Sequence, residues 1–273
     1  PGVIREALCN AANNLACQGV RTQAAVITLL LPTTVEEPRL GEYMREAQEY
    51  ADACDICILG GHTAAEEGLK AALVSVTALG MEQGFQEKPL CQGMSIVMSK
   101  WIGLQGTARI VREHPREVSE RFPARMVRQM ADFEKDLSVW PEAEIAAGFG
   151  VCRMHDVSGG GILRAAWELA EDVGVGLTLD LQRIPVKQET IETCEIFGLN
   201  PYGLLSGGAL LMVTERGPEL VEKLKAAQIP AQIIGQITES NDKVVLFRTS
   251  KGVERRFIDR PRTDEIEKIG KQN

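Results

Sequence analysis

Three successive glycines, Gly159-Gly160-Gly161, follow Asp156 and Ser158 and run into a segment whose apolar residues, Ile162, Leu163, Ala166, Trp167, Leu169, Ala170 and Val173, recur at three and four. That spacing predicts an amphipathic helix with one buried face. Asp156 and Ser158 carry short side-chain acceptors ahead of the helix, suited to the unpaired amides of its first turn. The glycines have no Cβ, so another group can approach the backbone closely. Unpaired amides and the positive end of the helix dipole then converge on one place, which favours an anion such as phosphate. The stretch is therefore a candidate phosphate-binding turn or, without a ligand, a capped connection into a helix. Gly160→Val is expected to separate the two readings, obstructing a ligand while barely disturbing the fold.

A second glycine pair, in Gly60-Gly61-His62-Thr63, closes a short apolar strand at 56–59 and reads as a loop. Cysteines stand at positions 9, 17, 54, 57, 91, 152 and 194, an odd number in mostly apolar segments. Reduced thiols, most of them small core residues, are expected, and the Cys54-x-x-Cys57 pair lacks the second pair or histidine cluster of a metal site.

With 38 acidic against 30 basic residues the net charge is −8, and no basic run or aromatic-basic interleaving occurs, so no nucleic-acid footprint is present. Any phosphate must be bound locally. Apolar runs such as 24–32 are far shorter than the roughly 20 residues of a membrane span, and residues 1–12 do not read as a secretory signal. A cytoplasmic protein without a membrane partner is expected.

The positioning elements follow in order. Val3, Ile4, Ala7, Leu8, Ala11, Ala12, Leu15 and Ala16 predict a helix that Gly19 ends. The near-continuous apolar run 24–31 predicts a buried strand, residues 40–54 a second amphipathic helix and 73–79 another strand. Residues 95–101 read as a strand whose pattern Gly103 and Gly106 break, and helical patterns cover 116–137 and 142–147. After the glycine turn come a strand at 175–181, a helix at 188–197, a strand at 209–213, a helix at 218–227 and strands near Ile233, Val244 and Phe257. Alternating helices and strands point to an α/β (α+β) fold, with a domain boundary where composition turns Gly-, Pro- and Gln-rich at 85–105.

His155-Asp156-Val157-Ser158-Gly159-Gly160-Gly161 resembles the glycine-rich turn of the C-terminal domain of the AIR synthase (PurM-like) superfamily. Asn13-Asn14-Leu15-Ala16 before Gly19 resembles its Asn-Asp-Leu-Ala helix, and Gly60-Gly61-His62-Thr63 its Gly-Gly-Asp/His-Thr loop. Residues 99–107 resemble the start of the second domain, and Ile184-Pro185-Val186, Gly198-Leu199-Asn200-Pro201 and Gly207-Gly208-Ala209-Leu210 most resemble HypE-type members. The resemblance implies a two-domain fold, 1–92 and 93–273, whose first domain forms a dimer sheet or barrel, so a homodimer. It also implies ATP and Mg2+ in a cleft. Asp156, Ser158, Gly159, Gly160 and Gly161 would hold the nucleotide with Gly60, Gly61 and Thr63, and Asn14 and His62 would stand at metal positions.

The departures are specific. The family's acidic strands precede the Asn-Asp-Leu-Ala helix, at which this chain opens, so either the chain is a fragment or those strands are missing from the first domain. Asn14 stands for an aspartate and His62 for an aspartate of several members, which should weaken a hard cation's binding. The HypE-type C-terminal cysteine has no counterpart beyond Cys194, so carbamoyl dehydratase chemistry is not expected. The resemblance implies an ATP-dependent enzyme activating or phosphorylating a small-molecule or amide substrate. The alternative is a non-catalytic dimeric binding or regulatory module.

Overall fold

The computed structural model of the chain describes residues 2–82, 84–250, 252–260 and 263–271. The chain divides into two compact units, one ending at Phe85 and the other starting at Gln86.

The first unit runs α1 (Val3–Ala16), β1 (Ala24–Pro32), α2 (Glu37–Cys54), β2 (Cys57–Glu66) and β3 (Leu73–Leu79). Its sheet has the order β2-β1-β3. β1 is parallel to β2, as a helical crossover requires, and antiparallel to β3. β1 does not read as its apolar run predicted, since burial alternates along it. Ala25, Ile27, Leu29 and Leu31 pack with Ile4 and Leu8 of α1 and Ala47 and Ala51 of α2, leaving Val26, Thr28 and Leu30 on the other face. Leu59, Leu73 and Leu79 are exposed on the flanking strands.

The Gly60–Thr63 stretch is strand, not loop. β2 continues through it to Glu66, with a register irregularity opposite Ala25 and Val26. A side chain at Gly61 would fall on the Ile27 carbonyl, so glycine is what lets the two backbones pair there.

The second unit contains β4 (Ser95–Ser99), α3 (Leu104–Glu113), α4 (Pro115–Arg121), α5 (Ala124–Ala131), α6 (Trp140–Phe149), β5 (Arg153–Val157) and α7 (Gly161–Glu171). It continues with β6 (Gly176–Asp180), α8 (Gln188–Phe197), β7 (Ala209–Thr214), α9 (Gly217–Ala226), β8 (Ala231–Thr238), β9 (Lys243–Thr249) and β10 (Gly252–Phe257), and a 3₁₀ segment follows at Glu265–Lys271. One seven-stranded sheet, β10-β9-β6-β8-β4-β7-β5, carries these helices. Ile162, Ala166 and Leu169 of α7 pack on Met98, Leu177, Leu211 and Ile234 of the sheet.

Two expectations change here. The helical pattern at 116–137 is broken by Pro123, which cannot donate the amide a continuous helix needs, giving α4, α5 and a 3₁₀ turn at Asp132–Asp136. The strand pattern at 95–101 does stop short of Gly103 and Gly106, at Ser99, but the glycines open a helix. They start and lie within α3, where Leu204 occupies the space a side chain at 106 would take.

The junction between β4 and α3 is fixed by a buried ion pair. Lys100, in the left-handed region at φ 51°, sends its amine 3.0 Å to Glu142 Oε1 and also donates to the carbonyls of Asp136 and Ser138. Glu142, only 1% exposed, accepts a second bond from Ser99 Oγ at 2.9 Å. Ser99 Oγ in turn accepts from the Leu210 amide, tying β4 to the start of β7.

A glycine-rich turn between β5 and α7 as the candidate site

Asp156 and Val157 lie on β5 opposite Leu210 and Ala209 of β7. The chain then turns through Ser158–Gly160 into α7, and Gly160, at φ 82°, is the helix N-cap. The expected capping by Asp156 and Ser158 does not occur: the helix has no side-chain cap, because Asp156 is still in the strand. The Ser158 carbonyl accepts from the Gly161 amide at 3.1 Å and the Ser206 amide at 3.2 Å. Ser206 Oγ accepts from the Gly103 amide at 2.8 Å, and the Leu205 carbonyl accepts from the Gly106 amide. Three loops, before α3, before α7 and before β7, are thus stitched into one surface.

The three glycines are not equivalent. A Cβ at Gly161 would sit 2.5 Å from the Tyr202 carbonyl oxygen, and at Gly160 it would meet the Arg164 side chain at 2.5 Å. At Gly159 it would meet nothing within 4 Å. Gly160→Val therefore confounds strain with ligand obstruction, and Gly159 is the better probe. Gly159 opens onto a cavity of about 660 Å3 that Arg109 and Glu113 of α3, His114, Leu205 and Asp264 also line. Among the described residues the Gly159 amide has no protein acceptor. The Gly160 amide donates to Asp264 Oδ2 at 2.6 Å.

Asp156 is 8% exposed. Burial pushes its carboxyl above the ordinary range, against the opposing influence of His155 and a hydrogen bond with Ser158. His155 Nδ1 donates to the Asp156 carbonyl, and its Nε2 faces Glu168, which also pairs with Arg164 at 2.8 Å. The folded state therefore holds the Asp156 proton to a higher pH than the unfolded chain does, so stability falls as pH rises from the ordinary value of 3.8 through the raised one. Asp156→Asn is expected to melt higher than the wild type at pH 7 and to lose this advantage at pH 3.5. Thermal melts across that range check it, and equal melting at pH 7 would contradict it.

The remaining candidates lie in the first unit. Asn14 is exposed in the last turn of α1, while its neighbour Asn13 is the buried one. Gly60, Gly61, His62 and Thr63 are exposed along β2. α1 packs against β3 and α2 against β2, so Asn14 and His62 belong to opposite edges of this sheet. The described residues contain no group of three or more His, Cys, Asp or Glu able to hold a metal ion. A donor set of one amide and one imidazole does not suit a hard cation. All seven cysteines are free, and Cys9, Cys17, Cys152 and Cys194 are buried. No helix among the described residues is long and apolar enough to cross a membrane.

Sequence reasoning missed Ser206, Leu205, Arg109 and Asp264. The Gly207-Gly208 pair marks the loop that holds the first two. Asp264 gives no local signal, because its partner amide is 104 residues away.

Fold and turn together define a two-domain α/β protein of the PurM-like type. The family models for the N-terminal and C-terminal domains of AIR synthase related proteins match residues 4–81 and 92–247. This chain belongs to the AIR synthase related family. It is 25% identical over 272 residues to a hydrogenase expression/formation protein of Methanocaldococcus jannaschii, covering 97% of this chain and 78% of that one. E. coli HypE has a similar fold, with a TM-score of 0.80 at 20% identity, over 98% of this chain and 82% of that one. HypE crystallised in complex with ATP gives a TM-score of 0.75 at 17% identity, over 96% and 80%. Nucleotide binding is thus found among proteins of this fold.

Proposed function

We propose that the chain is an ATP-dependent enzyme that activates or phosphorylates a small-molecule or amide substrate, with the nucleotide phosphates received at Ser158–Gly161. The observation that carries this reading is the open face of Gly159 on a cavity of about 660 Å3, in the turn that follows the buried Asp156 at the end of β5. A helix N-terminus with an amide left to donate suits phosphate oxygens, and the space a side chain at 159 would fill is the space a ligand needs. In phosphoryl transfer a substrate oxygen forms a bond to the γ-phosphorus as the bond to ADP breaks. Asp156, at the end of β5 directly before the turn, is the carboxyl that would accept the proton the substrate oxygen gives up. ATP supplies the transferable phosphoryl group, with any magnesium arriving on the nucleotide.

Gly159→Val tests the reading. The unliganded melting temperature should stay near that of the wild type. The stabilisation conferred by magnesium and the non-hydrolysable analogue AMPPCP, about 2.7 kcal/mol at a hundredfold excess over Kd, should vanish. A variant that keeps the full stabilisation would remove the turn from the site.

The neutral Asn14 and His62 favour a second reading, in which the chain keeps the fold as a binding or regulatory module. ATPase or kinase turnover abolished by Asp156→Ala would exclude it. Under either reading we infer a homodimer, because Leu59, Leu73 and Leu79 leave the first sheet with exposed apolar strands at its edges. Light scattering of the purified protein should give twice the chain mass.

A further inference from the structure

The 3₁₀ segment Glu265–Lys271 and the residue before it lie across the glycine-rich turn. Asp264 divides its carboxylate among three amides. Oδ2 accepts from Gly160 at 2.6 Å, and Oδ1 accepts from Leu205 at 3.2 Å and from Ile266 at 2.9 Å. The next residue adds a second anchor, since Glu265 Oε2 accepts from the Asn200 amide at 3.0 Å. Ile269, 9% exposed, completes the seat on the apolar side and lines the same cavity as Gly159. The two anchors meet the loops leading into α7 and β7, the surface proposed above to receive phosphate.

We propose that this segment is an internal anion latch: Asp264 occupies the Gly160 amide that an incoming phosphate needs, so that seating of the segment and binding of the anion exclude one another. The inference rests on the phosphate-binding reading of the turn. Two physical reasons support exclusion. The Gly161 amide is spent on the Ser158 carbonyl, so an anion bridging adjacent amides of this turn must use Gly159 and Gly160, and the second is taken. A phosphate beside Asp264 would also face a like charge at close range across a partly water-excluded surface. The nearest cations do not reverse this balance, because Arg109, which lines the cavity, is paired with Glu113 at 2.8 Å, and Arg164, beside Gly160, is paired with Glu168 at 2.8 Å. Apparent affinity is therefore lowered by the fraction of molecules in which the latch is seated.

The test is titration of the wild type, Asp264→Asn and Asp264→Ala with magnesium and AMPPCP, with hydrogen exchange of residues 263–269 followed in each. Asp264→Asn keeps an acceptor oxygen for the Gly160 amide and removes the charge, so it guards against a folding defect in the alanine variant. Affinity should rise tenfold or more in Asp264→Ala and by less in Asp264→Asn, which loses only the like charge, and in the wild type the ligand should speed exchange across 263–269. Equal or weaker binding in folded variants, or unchanged exchange in the liganded wild type, would overturn the latch and leave the phosphate site standing. If no form binds the analogue, the site itself is wrong and the latch falls with it.

Discussion

Lys100→Met should be the most damaging single substitution away from the glycine turn, lowering stability by about 3–5 kcal/mol. The lysine amine stands 3.0 Å from Glu142 Oε1, and the side chains are 11% and 1% exposed. Removing the amine leaves a buried carboxylate that, among the described residues, only Ser99 satisfies, and Glu142 Oε2 has no hydrogen-bond partner among them. It also frees the carbonyls of Asp136 and Ser138. For a unit of this size the loss corresponds to a melting transition roughly 10 °C lower. Adding Glu142→Met should restore much of it, because a buried pair replaced by apolar groups of similar volume is often neutral. A double variant no more stable than Lys100→Met would show that the two groups do not act as a pair.

Gly161→Ala should cost about 3 kcal/mol, from the strain of an L side chain in the left-handed region and from overpacking. Its φ is 65°, and the added carbon would lie 2.5 Å from the Tyr202 carbonyl and 2.9 Å from that of Leu204, neither of which is a flexible side-chain end. Denaturant unfolding should show a reduced midpoint with little change in slope. A neighbouring substitution, Gly159→Ala, meets open space and should be nearly silent in the same experiment. If both cost the same, the cost of Gly161→Ala does not come from its contact with the Tyr202–Leu204 loop.

Much of the architecture is legible from spacing. β3 runs from 73 to 79 and α8 from 188 to 197 as their apolar patterns predict, and Gly19 follows α1 as its stop. The failures share a cause. Glycine signals a break when its role is conformational, but Gly61 and Gly106 serve close packing, against the Ile27 carbonyl and the Leu204 side chain. Local pattern cannot distinguish these roles, so the far half of β2 reads as loop and α3 goes unread. The continuous apolar run of β1 likewise hides an alternation, because its second face keeps Val26 and Leu30 although it is only partly covered. At the candidate site, Asp156 and the glycines are visible because they are contiguous. Asp264 is invisible, since only the folded chain carries it to the Gly160 amide.

The position of β4 sets the order in which the chain can assemble. It leads the second unit in sequence yet stands inside the sheet, pairing Ser95 with Thr214 of β7 on one side and Gln236 of β8 on the other. During synthesis β4 must wait for more than a hundred further residues before either neighbour exists, whereas β1 finds both partners within about fifty. Closing such long loops precedes the contacts that reward it, so the second unit should fold slowly after the first is complete. Until then Ile96, Val97 and Met98, which are 1% exposed or less in the finished protein, form an unpaired apolar strand, the stretch a chaperone would hold on a ribosome-bound chain.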